Sequence, residues 1–296
     1  MIPARYGSTR FRGKPLAVIG GVPMVVRTYK RALRIKNADS VVVATDDRRI
    51  ERIVTDAGGT AVMTSSRHSS GTSRVAEAVR MVQPRHDIVI NIQGDEPVFP
   101  IRSVERLIDL IVEDRSISMA TIATRRITEA ELFSRDVVKV VVDSDGYALY
   151  FSRSPIPYPG EHHDSFLNLH REKRSASILR TLSDERDVAS SSRHGADGSA
   201  GETAKHRAKS STAAEEVYSK RLTGFLKHIG IYGFRRNFLE RFVALKRSTL
   251  EKRESLEQLR ALENGFGIRV LTCSAQSISV DRPEDIKVVE KNIQTR

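Results

Sequence analysis

At 296 residues, the chain is long enough for one large domain or two ordinary ones around a sizeable core. Its 39% hydrophobic and 29% charged residues exclude a disordered chain. No stretch nears the roughly 18 apolar residues of a membrane span, and a single cysteine, Cys273, excludes an internal disulfide and suits a reducing compartment. The formal net charge of +12 invites a polyanion, but it is scattered along the chain without a basic arm, a zinc-finger spacing or a tryptophan. We therefore expect an acidic or phosphate-bearing small molecule rather than a specific nucleic-acid site.

The first segment, MIPARYGSTRFRGKPL, sets Arg5, Arg10, Arg12 and Lys14 among Pro3, Gly7 and Gly13. Such breakers forbid a helix or strand interior and predict a loop. No apolar core follows its basic residues, so it does not read as a signal peptide. It is not a Walker loop either: five residues separate Gly7 from Gly13 where four are required, and Lys14 is followed by Pro15 instead of Ser or Thr. What remains is a loop whose Arg5, Arg10 and Lys14 can converge on a multiply charged anion, or an ordinary basic surface loop.

Further on, SVVVATDD (40–47), DIVINIQGDEP (87–97) and VVKVVVDSDG (137–146) are continuous apolar runs, read as strands buried on both faces of a parallel sheet. Helical patterns fall between them at 48–58 and 73–82, and at 101–114 Val104, Leu107, Ile108 and Ile111 share one face. Strand alternating with helix predicts a doubly wound α/β domain. Residues 160–222, rich in Ser, Ala and Gly, carry no core pattern and read as a disordered insertion in a single domain spanning 1–296. The histidines of that segment show no metal-ligand spacing.

After the insertion, FLKHIGIYGF (225–234) is a strand or paired segment, and IRVLTC (268–273) is another strand. Between them, STLEKRESLEQLRALENG (248–265) predicts one helix, opened by a capping box at Ser248 and Glu251 and stopped at Asn264-Gly265. Two carboxylates, Asp95 and Asp281, follow apolar runs, where open α/β sheets bind ligands. With a cationic loop they suit phosphoryl or nucleotidyl transfer, since a hard cation such as Mg2+ takes carboxylate and phosphate oxygens.

Taken together, IPARYGSTR..GKPL, VVVATDD, NIQGDEP, VVKVV.D..GYALYFSRSPIP, HIGIYG, LEQLRALENG and VD.PED closely resemble the 3-deoxy-manno-octulosonate cytidylyltransferase (CMP-Kdo synthetase) family. The resemblance implies a Rossmann-like nucleotidyltransferase fold with a mostly parallel central sheet and a smaller sugar-binding and dimerisation region, usually in a homodimer. It implies CMP transfer from CTP to the anomeric hydroxyl of 3-deoxy-manno-octulosonate (Kdo) with Mg2+, a step of lipopolysaccharide biosynthesis, and a cytoplasmic location, or an organelle if a targeting segment is missing. By the same resemblance Arg5, Arg10, Lys14 and Asp95 serve catalysis. Ala4, Arg5, Arg10, Lys14, Thr64, Ser65, His68 and Gly71 match the CTP site, and Asp95 and Asp281 the metal carboxylates. Gln93, Arg153, His228, Tyr232, Glu257 and Gln258 match the sugar site.

Departures from the family pattern are also visible. Only Met1 and Ile2 stand before PAR, so the first strand appears lost and the chain reads as an N-terminally truncated form of a longer protein. Arg12 replaces a proline, Ser73 stands where the family has an acid, and the insertion adds about forty residues. Two other readings stay open: a cytidylyltransferase for another acidic sugar, or a non-catalytic relative that binds nucleotide or nucleic acid.

Overall fold

The computed structural model describes residues 1–7, 11–158 and 224–294. The chain divides into two compact units, one comprising Met1–Ser154 with Phe225–Arg296 and the other Pro155–Gly224. Nearly all of the second unit, including the expected insertion at 160–222, lies outside the described residues, as does Arg10.

The first strand is not lost. Ile2–Ala4 forms β1, fully buried, pairing in parallel with β4 (Val43–Thr45), which pairs in parallel with β5 (Ala61–Met63). On the other side of β1, the Met1 nitrogen donates to the Ile90 carbonyl (2.8 Å) and the Ile92 amide to the Met1 carbonyl (3.0 Å), joining β1 to β6 (Ile88–Asn91). Beyond β6 comes β10 (Lys227–Arg235), antiparallel to both β6 and β7 (Met119–Thr124), and β7 pairs in parallel with β11 (Arg269–Cys273). The order is thus β5-β4-β1-β6-β10-β7-β11, parallel except for β10. A short hairpin, β2 (Val18–Ile19) and β3 (Val22–Pro23), lies apart.

Two expectations need correction. The valine run at 137–146 joins the sheet beside β10 but has no parallel partner, pairing antiparallel at Lys139 and Lys227. It forms β8 (Lys139–Val142), one arm of an antiparallel hairpin with β9 (Ala148–Ser152), turned where Gly146 takes a φ of 77°. The helix expected at 248–265 is two helices, α7 (Thr249–Glu254) and α8 (Leu259–Glu263). The capping box forms as the sequence predicts, but Ser255 adopts a left-handed φ of 55° and ends α7. The turn lets Arg260 fold back on Glu251 through two charge-assisted bonds of 2.8 and 2.6 Å. That buried pair outweighs the local preference for one continuous helix.

Alternation along the strands separates two cores. On one face, Ile92 of the β6 edge and Ala120 and Ile122 of β7 pack with α1 (Met24–Ala32), α2 (Arg48–Asp56) and α4 (Ile101–Glu113), whose predicted stripe of Val104, Leu107, Ile108 and Ile111 is buried. On the other, Val89, Met119 and Ala123 pack with α3 (Gly71–Met81), α6 (Arg236–Ala244), α7 and α8. A third cluster of Ile19, Met24, Val98, Val280 and Val289 seats α9 (Asp285–Gln294) beside the loop after β6. A small helix, α5 (Glu129–Phe133), precedes β8. Among the described residues no helix is long and apolar enough to cross a membrane.

Candidate active site

The loops after β1 and β6 approach each other at the carboxyl ends of their strands, and glycine makes that approach possible. A Cβ on Gly94 would meet the Pro3 carbonyl oxygen at 2.8 Å, and one on Gly71 would meet the Pro3 ring at 3.1 Å. Between these loops opens a cleft of about 250 Å³. Ala4, Arg5, Lys14, His68, Gly71, Gln93, Asp95 and Asp281, all expected from the sequence, line it together.

Its charge centre is Lys14. The preceding Gly13 takes a φ of 73°, and its amide donates to the Tyr6 carbonyl (3.0 Å), which closes the opening loop and starts a single 3-10 turn, Lys14–Leu16. Lys14 Nζ donates to Asp95 Oδ2 (2.5 Å) and the Val280 carbonyl (2.9 Å), and stands 3.6 Å from Asp281 Oδ1. Two carboxylates from distant parts of the chain therefore converge on one ammonium. Oxygen donors gathered around a cation suit Mg2+, which is completed by water and substrate phosphates where protein ligands are few. No group of three or more His, Cys, Asp and Glu able to hold a metal occurs among the described residues.

The residues expected on the nucleotide side divide between lining and support. His68 reaches the cleft wall while Nε2 meets Glu77 Oε2 and Nδ1 meets Ser73 Oγ (3.2 Å). The hydrogen bond from His68, helped by the Ser65 amide, holds the Glu77 carboxyl below the usual carboxylate range. Ser65 thus serves the wall through its backbone. Thr64 lies behind the cleft, accepting from Arg74 Nη1 (2.7 Å) and donating to the Thr45 carbonyl (3.1 Å). Ser73 fits where it stands: its amide donates to the capping Ser70 Oγ (3.1 Å) and its own hydroxyl to the Ser70 carbonyl (3.0 Å).

The residues expected on the sugar side are gathered only in part. Glu257 Oε1 accepts from Ser70 Oγ (2.8 Å), bringing the turn between α7 and α8 to the cleft rim. Gln258 follows it, 4% exposed, with Nε2 buried and lacking a hydrogen-bond partner among the described residues. The sequence placed both on one helix; they belong instead to the turn that Ser255 creates. On β10, His228 Nε2 pairs with Thr121 Oγ1 (2.9 Å), and its ring packs edge-on against Phe151 and beside Tyr232. Burial pushes the His228 imidazole down to about 3 and the Tyr232 phenol well above its usual value, so both are neutral at pH 7. Arg153 is not on the cleft lining. Its guanidinium donates to the carbonyls of Glu254 (3.0 Å) and Arg135 (2.8 Å).

Sequence reasoning missed two residues here. Arg74, 2% exposed, lines the cleft and binds Asp46 Oδ2 (2.9 Å) as well as Thr64. An arginine in the first turn of a predicted helix, with aspartates ending a strand earlier in the chain, was the available signal. Glu96 is buried beside Asp95, and burial and then the Asp95 charge push its carboxyl up to about 7. Nothing in NIQGDEP marked it apart from its neighbour.

A dinucleotide-type sheet interrupted by one antiparallel strand, with a cationic loop facing two carboxylates, defines a nucleotidyltransferase. The chain belongs to the cytidylyltransferase family, whose model matches residues 1–278. Within it, the chain falls among the 3-deoxy-manno-octulosonate cytidylyltransferases. It is 41% identical to the one from Thermodesulfovibrio yellowstonii, covering 100% of this chain and 97% of that one. It is 37% identical to that of Fusobacterium nucleatum, covering 98% and 94%. Among solved structures, a CMP:2-keto-3-deoxy-manno-octonic acid synthetase complexed with CTP matches with a TM-score of 0.74 and 36% identity over 99% of this chain and 97% of that chain. A cytidylyltransferase from Leptospira borgpetersenii, 14% identical over 100% of this chain and 85% of that chain, shares the fold with a TM-score of 0.54.

Proposed function

We propose that this chain transfers CMP from CTP to the anomeric hydroxyl of Kdo, giving CMP-Kdo and pyrophosphate. The observation that carries the reading is the convergence of Lys14, Asp95 and Asp281 in a cleft that also takes in Ala4, Arg5 and Gly71. The relatives over the full chain are enzymes of that name, and a solved relative is complexed with CTP.

In this reading, Ala4 and Arg5 border the base, while Lys14 and Arg5 place positive charge where negative charge grows on the phosphates. The sugar hydroxyl passes its proton to solvent water as its oxygen bonds to the α-phosphorus, and the bond from that phosphorus to the bridging oxygen breaks to release pyrophosphate. Asp95 and Asp281 would hold Mg2+, which when bound neutralises phosphate charge and polarises the phosphorus for attack. Lys14 orients both carboxylates and screens them from each other. Gln93, Glu257 and Gln258 offer the amide and carboxylate groups that sugar hydroxyls need. Neutral His228 and Tyr232 add no charge that would compete with the sugar acid. Arg153 supplies a cation for that acid if its guanidinium leaves the carbonyls that hold it. Arg10, outside the described residues, belongs to the triphosphate side on the family pattern.

We propose further that the chain is one nucleotidyltransferase domain interrupted at 160–222, acts as a homodimer and works in the cytoplasm. Light scattering tests the assembly. Pyrophosphate release from CTP, measured with and without Kdo and Mg2+, tests the activity: release should require both, and turnover should exceed that with a sialic acid. Release independent of Kdo, or abolished by neither omission, defeats the proposal.

A further inference from the structure

The carboxylate pair is assembled from two loops that are far apart in sequence, and the structure shows what docks them. The segment 277–281 lies antiparallel on 95–98, its Ile278 amide donating to the Val98 carbonyl (2.8 Å) and its Val280 amide to the Asp95 carbonyl (2.9 Å). Two main-chain bonds alone would leave such a short pairing free to fray. At its end stands Glu96, 6% exposed. The Ser277 hydroxyl lies 2.9 Å from Glu96 Oε2 and 3.0 Å from the Val98 carbonyl, so one side chain fastens the start of the Asp281 segment.

The same carboxylate reaches a third element. The Gly230 amide donates to it, and a Cβ on Gly230 would stand 3.1 Å from Oε1. Gly230 sits where β10 breaks register with β7, between Ile229 and Tyr232. His228 and Tyr232 flank that irregularity. One buried acid therefore touches the loop of Asp95, the segment of Asp281 and the bulge of the strand that carries the sugar-side rings. A buried acceptor with fixed donors specifies a geometry, because any other arrangement leaves it unsatisfied.

We propose that Glu96 is a positioning residue: it sets the spacing of Asp95 and Asp281 and ties that pair to the β10 bulge. Glu96 itself does not touch substrate. The inference rests on the proposed function insofar as the two aspartates hold a divalent cation.

The test uses the full chain with Glu96→Leu, Glu96→Gln, Ser277→Ala and Gly230→Ala. Hydrogen exchange at the Val280 and Ile278 amides reads the docking directly, without metal or turnover. Glu96→Leu should speed exchange there about tenfold or more relative to amides of β4, whereas Glu96→Gln, which keeps an acceptor for Ser277, should restore most of the protection. Ser277→Ala removes only a hydroxyl, Gly230→Ala adds only a methyl that crowds Glu96 Oε1, and the two decide the matter if Glu96→Leu does not fold. Mn2+ binding to the CTP complex, read by paramagnetic resonance, should weaken roughly tenfold in Glu96→Leu, as happens when partners of metal ligands are lost. CTP binding without metal should stay within about twofold. Unchanged protection at Val280 in Glu96→Leu, or in both small variants, overturns the proposal. Mn2+ affinity that survives Asp95→Asn would instead overturn the metal reading, and amide exchange would still judge Glu96.

Discussion

The loops around Lys14 and the strand β10 solve opposite problems within one sheet. Around Lys14, charged groups line an open cleft, and Lys14 stands within 4 Å of both Asp95 and Asp281. Around His228, polar rings are packed against Phe151 and kept neutral by burial. The first region holds charge that solvent can reach. The second works through shape, its polar groups fixed by internal partners such as Thr121. Changes in the first should therefore show in turnover with little loss of stability, and changes in the second mainly in stability.

The largest expected effect extends the second half of that contrast to another buried, internally partnered group, the Glu251–Arg260 pair of α7 and α8. Arg260→Leu strips the Glu251 carboxylate, 4% exposed, of its two short guanidinium bonds beneath the Glu257 turn and leaves it only the exposed Arg247 at 3.3 Å as a cation. It should cost about 3–5 kcal/mol in denaturant unfolding, and replacing both members by leucine should recover much of the loss. An unchanged midpoint would show the turn to be held by other contacts. In the cleft, Asp95→Asn should lower turnover by about 10²–10³-fold while moving the melting temperature little. A large thermal shift there would erase the contrast.

A subtler distinction comes from pH. The His228 imidazole falls to about 3 in the fold from an ordinary 6.5, so the unfolded chain takes up a proton that the folded one refuses. The contribution to stability is full above pH 6.5 and is lost progressively as pH falls from there toward 3. Stability curves of His228→Gln and the parent should converge or cross across that window, and parallel curves would contradict the buried neutral ring. The smallest effect belongs to residues 165–215, which hold no proposed ligand. Their deletion should leave Kdo-dependent turnover within a few-fold, since changing loop length alters closure entropy only slowly.

What could be read beforehand follows the same division. Charge announces itself in sequence, so Arg5, Lys14, Asp95 and Asp281 could be proposed as a group from residue type and strand ends, and the structure places them in one cleft. The stripe on α4 was legible because its period repeats for three turns. Packing decisions were not. The break at Ser255 depends on a carboxylate–guanidinium pair formed nine residues apart, which local helix preference cannot anticipate. The valine run of β8 looked like a buried parallel strand, yet its partners, the hairpin arm β9 and the distant β10, are both antiparallel. Glu96 carried the same letter-level signal as any acid, and only the convergence of Ser277 and Gly230 distinguishes it.

The place of β10 also bears on how the chain reaches its folded state. This strand fills the gap between β6 and β7, although it begins at Lys227, long after both have been synthesised. Until it arrives, β6 and β7 each present an open edge, and the halves of the sheet have no ladder between them. Pairing across such distances is slow because loop closure precedes any gain from contact. On the ribosome, the β1–β7 portion therefore waits as an incomplete sheet, exposed to the strand-to-strand association that open edges invite. The antiparallel strand that carries His228 and Tyr232 is thus also a piece that can be inserted only late in synthesis.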